Sequence, residues 1–220
     1  MGFWSSVGSA LSSVVRGACS VVSSAVSILG SAVTKVATTI AEMGLTLAAR
    51  VGEAIKGVGI SLGIIKPDDN LEELGEKAMM SEKTPKDFDS INAYIAHLRN
   101  DVTIDREKFS RLDEKELLAR SAIGSAITLQ GINEKLDTVV CPKFMAMVAT
   151  QHLETEEIIA TIKAYKEKNL NTSEYSLYLN DELSIEQSQK HSRALVDAYQ
   201  RLEPELSIEQ IEDKVMGLRP

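Results

Sequence analysis

Aromatic side chains make up only 5% of the 220 residues, so the 44% apolar content comes chiefly from Ala, Val, Leu and Ile. Cysteine is almost absent: Cys19 and Cys141 are the only two, which excludes a disulfide framework and makes a reduced compartment the default at synthesis. No basic stripe exists to neutralise phosphates, and the chain carries a net charge of −8, so nucleic acid is not expected as a partner. Cys-x-x-Cys pairs, phosphate loops, nucleotide fingerprints and G-x-S-x-G elbows are all missing. His97, His152 and His191 lie far apart in sequence. A His152–Glu156 pair spaced for one helix face supplies two metal ligands without a third. Cys141 has Lys143 nearby but no local histidine, so nothing marks it as a nucleophile. From these absences the chain is not expected to be an enzyme or to hold a cofactor or metal.

Targeting signals are also thin. "MGFWSS" lacks a basic n-region, and Arg16 interrupts "VRGAC", so no secretory signal is expected. The same opening fits the loose N-myristoylation pattern through Gly2 and Ser6. The longest uncharged run near the start, Gly17–Thr34, spans 18 residues but includes five serines and a threonine, which makes a single membrane-spanning helix a weak reading.

Charge is scarce at one end. Residues 1–65 hold four basic and two acidic side chains, a balance of +2, which leaves −10 on the remaining 155 residues. This asymmetry divides the chain into a low-charge segment, 1–66, and an acidic helical domain, 67–220. Pro67 marks the boundary, with Asp68 or Asp69 placed to cap a helix starting near Leu71.

What the low-charge segment does have is a period. Phe3, Trp4, Val7, Leu11, Val14 and Val15 begin an apolar series with steps of 4, 3, 1 and 3 that repeats every 11 residues. Val22, Val26, Leu29, Val33, Val36 and Ile40 continue it, followed by Leu47, Val51, Ile55, Val58 and Leu62. Eleven residues fill three turns at 3.67 per turn, so the stripe drifts only about 20° per repeat on a straight helix. The pattern predicts a long amphipathic helix, broken if anywhere near Gly44 or Gly57–Gly59. Its other face is Ser5, Ser9, Ser12, Ser13, Ser20, Ser23, Ser27, Ser31, Thr34 and Thr38. Hydroxyl side chains compete for backbone hydrogen bonds, and eleven serines with nine glycines in 65 residues make an isolated helix poor. Packing must hold it together, against lipid, against protein or inside its own fold.

The body reads as helices throughout. Helical spacing of apolar residues appears at Ile91–Val102, over 105–140 and over 144–168, with Cys141-Pro142 as a stop. "ELSIEQ" occurs at 182–187 and again at 205–210, each with Ser three residues before Gln, so Ser184 and Ser207 are expected to open helices with capping boxes. No alternating strand pattern occurs, and the fold class is all-α.

These features fit a non-enzymatic, membrane-active helical protein, pore-forming, delivered or ejected, whose segment 3–62 binds or inserts into a lipid bilayer as an oligomer. The alternative is a structural subunit of a helical assembly, such as a phage particle or secretion machine, packing through the same segment. The expected partners are a lipid bilayer, copies of the chain and other protein subunits. The expected route is synthesis in the cytoplasm, ending at a membrane or within a larger particle.

Overall fold

The computed structural model describes residues 3–219, with side chains described from Ser13 onward. The described residues form thirteen α-helices and no strand, in two compact units, residues 1–135 and 136–220. The compositional boundary at Pro67 lies inside the first unit.

The first unit contains α1 (Phe3–Ser24), α2 (Val26–Leu29), α3 (Ser31–Glu42), α4 (Gly44–Ser61), α5 (Leu71–Met80), α6 (Ile91–Asp101), α7 (Arg106–Phe109) and nearly all of α8 (Glu114–Leu136). The low-charge segment is therefore four helices rather than one. Gly30 (φ 79°) and Gly44 (φ 78°) adopt left-handed conformations that end α2 and α3, while Ala25 separates α1 from α2. With those breaks the stripe folds back on itself: α1 packs on α3 and α4, and α3 on α4. Several hydroxyls that would disfavour a helix are turned back onto its own carbonyls. Ser24 donates to Val21 O (2.7 Å), Thr34 to Gly30 O (2.9 Å) and Thr39 to Lys35 O (3.0 Å).

Helix α8 is buried almost all round between Leu118 and Ile132, including Ser125 and Thr128. It crosses α5 at a glycine on each helix. A Cβ on Gly75 would stand 2.0 Å from the Arg120 carbonyl oxygen, and one on Gly124 2.0 Å from that of Leu71. The backbones touch, and only glycine permits it. Arg120 reaches back to Glu76 at 2.5 Å beside this crossing.

Helix α5 is capped by Asn70, which accepts from Glu73 N at 2.9 Å, instead of by the neighbouring aspartates. Asp69 is occupied elsewhere, receiving two bonds from the Arg99 guanidinium. The pattern over 105–140 also resolves into two helices. Asp113 and Glu116 cap each other's backbone amides (3.0 and 3.1 Å), and this reciprocal pair starts α8 afresh after α7. Gly124 and Gly131 leave α8 continuous.

The second unit contains α9 (Pro142–Thr150), α10 (Thr155–Glu167), α11 (Tyr175–Leu179), α12 (Ile185–Leu202) and α13 (Ile208–Met216). The continuous helix expected over 144–168 is interrupted by His152, whose φ of 56° ends α9, and α10 restarts where Glu157 accepts from Glu154 N at 2.8 Å. Both predicted capping boxes are present: Gln187 N donates to Ser184 Oγ (3.3 Å) and Gln210 N to Ser207 Oγ (3.2 Å). Helix α12 packs on α10 and α13 around Phe144, Tyr165, Tyr175, Tyr178 and Tyr199, all buried.

Candidate membrane and assembly face

The side chains of Phe3, Trp4, Val7 and Leu11 lie outside the described residues. Of the remaining stripe, Val22, Leu29, Val33, Ile40, Val51, Ile55 and Val58 are buried, none more than 3% exposed. Val14, Val15, Val36, Leu47 and Leu62 are half-buried. Val26 departs from the stripe and is 45% exposed. The break at Ala25 rotates the short α2, so that Ala25 and Leu29 take the inward positions and Val26 turns out.

On the opposite face Ser13, Ser20, Ser23, Ser27 and Ser31 are exposed, as the period requires. Thr38 is half-buried, the side chains of Ser5, Ser9 and Ser12 lie outside the described residues, and Thr34 departs furthest from the pattern. It is 8% exposed, because its hydroxyl is tied to the Gly30 carbonyl at the start of α3. The outer surface of α1–α3 is thus hydroxyl and small-residue surface with little charge; Arg16, Lys35 and Glu42 are its described ionisable side chains apart from Cys19. Burial and the nearby Glu42 carboxylate push the Cys19 thiol up, away from the reactive thiolate. No helix among the described residues is long and apolar enough to cross a membrane.

The first unit holds several hollows, one of about 280 Å³ where Val15 of α1 meets the α3–α4 joint at Met43–Leu47, and two more that carry polar side chains. One, of about 240 Å³, lies where α4 and α5 meet the start of α8 and is lined by Leu45, Gly52, Glu53, Lys56, Leu71 and Ser121, among others. Its mixed charges and open shape converge no group on a reacting centre. The second, of about 250 Å³, lies between the end of α5 and α6 and takes in Ser81, Lys83, His97 and Asp101. Ser81 lies just past the end of α5, and no local sequence signal links it to His97, 16 positions away.

The three histidines sit in three settings. His97 Nδ1 is 2.8 Å from Asp101 Oδ2. His152 occupies a turn, so it does not share a helix face with Glu156. His191 is buried, with Nδ1 2.8 Å from the Tyr165 hydroxyl and Nε2 3.2 Å from Glu174 Oε2, and its ring stacks on Tyr178. Burial outweighs the Glu174 carboxylate and holds its pKa below the usual histidine range. Cys141 caps α9, its sulfur 3.4 Å from Phe144 N. Among the described residues no three His, Cys, Asp or Glu side chains gather as a metal site.

Comparisons with protein-family models, with curated proteins and with solved structures find no match to this chain.

Proposed function

We propose that the protein is a membrane-active helical protein in which residues 3–62 are stored folded and transfer their apolar stripe to a lipid bilayer, as an oligomer. The observation that supports this reading most strongly is the nearly charge-free hydroxyl surface outside α1–α3, with the stripe inside it. A solvent-facing helix ordinarily carries Glu and Lys, whose desolvation opposes entry into an interface. Here little charge has to be moved.

Magnitudes set the conditions for release. Seven stripe side chains are fully buried, and exposing each to water costs about 1.5–3 kcal/mol. The sum, roughly 10–20 kcal/mol, matches or exceeds the whole stability of a typical domain. The segment therefore stays closed in water and opens only where lipid or another copy receives the stripe. Gly30 and Gly44 are the joints about which α1, α3 and α4 would swing. Since no described helix is long and apolar enough to span, the reading takes contact to be interfacial or made by several helices together.

Trp4 is the only tryptophan in the chain and lies within the segment, so it reports directly. Full-length protein is mixed with neutral phosphatidylcholine vesicles, floated on a density gradient and read by Trp emission with brominated-lipid quenching. Co-flotation with a blue shift and quenching is expected. Absence of flotation together with unchanged Trp emission overturns the reading.

The assembly reading draws on a different observation: Val26 stands exposed on α2, as do Ser20 and Ser23 of α1, Ser27 of α2 and Ser31 of α3, and small exposed residues let helices approach closely. Lipid-independent self-association in light scattering, with no vesicle binding, selects it.

A further inference from the structure

We propose that Ser81, His97 and Asp101 form an acyl-transfer site in the first unit, acting on small carboxylic esters, independent of the membrane reading. Ser81 follows the last residue of α5, and His97 and Asp101 lie one turn apart on α6. The chain between them folds back so that Ser81 Oγ stands 3.5 Å from His97 Nε2, while His97 Nδ1 is 2.8 Å from Asp101 Oδ2. All three line the same hollow of about 250 Å³. Phe88 packs its ring 5.2 Å from the imidazole and helps fix its orientation.

The connectivity determines the chemistry. An ionised carboxylate only accepts, so Asp101 fixes the proton of neutral His97 on Nδ1 and leaves the Nε2 lone pair facing Ser81. That is the order nucleophile, base, orienting carboxylate. In the resting arrangement the Ser81 hydroxyl donates to the Lys83 carbonyl at 2.7 Å, and the Lys83 amide donates to Oγ at 3.1 Å. Rotation about the Cβ–Oγ bond re-aims the hydroxyl proton at Nε2, while the Lys83 amide continues to hold Oγ in place. Base–nucleophile distances of this kind tighten when substrate binds.

The step balances without a cofactor. Ser81 Oγ attacks the ester carbonyl carbon as its proton passes to Nε2, forming the Oγ–C bond. Collapse breaks the bond to the alcohol oxygen, which leaves with the proton from His97. Water, deprotonated by His97, then attacks the acyl-serine and returns Ser81 and a carboxylic acid. The hollow admits an acyl group of only a few carbons, and Lys83 is the one cationic side chain along it. Asp101 acts through His97 and is a positioning residue. Its side chain is 65% exposed, so its contribution is modest.

The test is covalent labelling of the full chain by a small fluorophosphonate, followed by intact mass and peptide mapping. One adduct on Ser81 is expected, absent in Ser81→Ala. His97→Ala should slow labelling by about 100-fold or more, with recovery on adding imidazole, and Asp101→Asn by about 10-fold. Rescue by imidazole distinguishes a base from a structural histidine. Absence of an adduct on the wild-type chain, an adduct at another residue, or labelling that does not change in His97→Ala overturns the proposal. Vesicle binding by Trp4 is read separately, so failure of either reading leaves the other standing.

Discussion

Two neighbouring residues of the stripe separate internal packing from external contact. Leu29 is 2% exposed and Val26 45%, although both fall on the same 11-residue period. A carboxylate at Leu29 has no charged partner in an apolar setting, and the lost packing adds to the desolvation cost. Leu29→Asp should destabilise the protein by about 3 kcal/mol or more in urea unfolding, whereas Val26→Asp should change it by about 0.5 kcal/mol or less. Vesicle flotation then tells the two apart again. If the segment opens onto lipid, Val26→Asp weakens binding while leaving solution stability intact. Loss at neither position would mean that the stripe is not packed as described. Ser23 and Ser27, both exposed, serve as controls for an added charge on the hydroxyl face.

Among elements, two glycines on the same stripe register behave in opposite ways. Gly44 and Gly59 both occupy stripe positions, yet Gly44 ends a helix at φ 78° while Gly59 stays helical and packs against Thr128 and Ile65. Gly59 is packed against a side chain of α8 and one just beyond α4, contacts that its neighbours in sequence do not announce. Helix starts were legible at Ser184 and Ser207, where the hydrogen-bonding groups lie three residues apart. The equally local pairs Asp113–Glu116 and Glu154–Glu157 were not, because their carboxylates blend into solvated helix faces, and Asn70 caps α5 where an aspartate was expected. The all-α class was legible from period alone. The breaks at Ala25 and Gly30 were not, because an 11-residue period fits a straight helix and a folded one equally well. Nor was the Ser81–His97 pair, which exists only through the path of the chain between α5 and α6. The α5–α8 crossing gives the sharpest test at this scale. Gly124→Ala would bring a methyl within 2.0 Å of the Leu71 carbonyl oxygen, a backbone atom that cannot step aside. The expected loss is about 2–4 kcal/mol despite the better helix propensity of alanine. At Gly17→Ala the nearest atoms belong to the Lys115 side chain (Cδ at 2.7 Å), which can swing where a backbone carbonyl cannot, so the change should stay within about 1 kcal/mol. Thermal or urea unfolding of the two variants checks both.

For the whole molecule, the uneven charge and the placement of the buried histidine make acid act unequally along the chain. Residues 136–220 hold fifteen acidic and nine basic side chains, six of the eight net negative charges, and they also contain His191. Asp and Glu protonate mainly below about pH 5, so relief of that repulsion comes late in an acid titration. His191 acts first. Its folded pKa lies below the ordinary histidine value of 6.5, so the unfolded chain binds the proton more readily. The stability it contributes is complete well above that value and declines as pH falls through 6.5 toward the folded pKa. Tyr165, Glu174 and Tyr178 are the titratable side chains placed against it, and only Glu174 offers charge to a protonated ring. Amide hydrogen exchange with mass spectrometry at pH 7 and pH 5.5, corrected for intrinsic rates, should therefore show protection falling in α10–α12 while α4 and α8 hold theirs. In His191→Gln, which stays neutral, that difference between the two pH values should shrink. An equal loss in both units, or a difference untouched by His191→Gln, would assign the acid response to net charge and leave this histidine without a part in it.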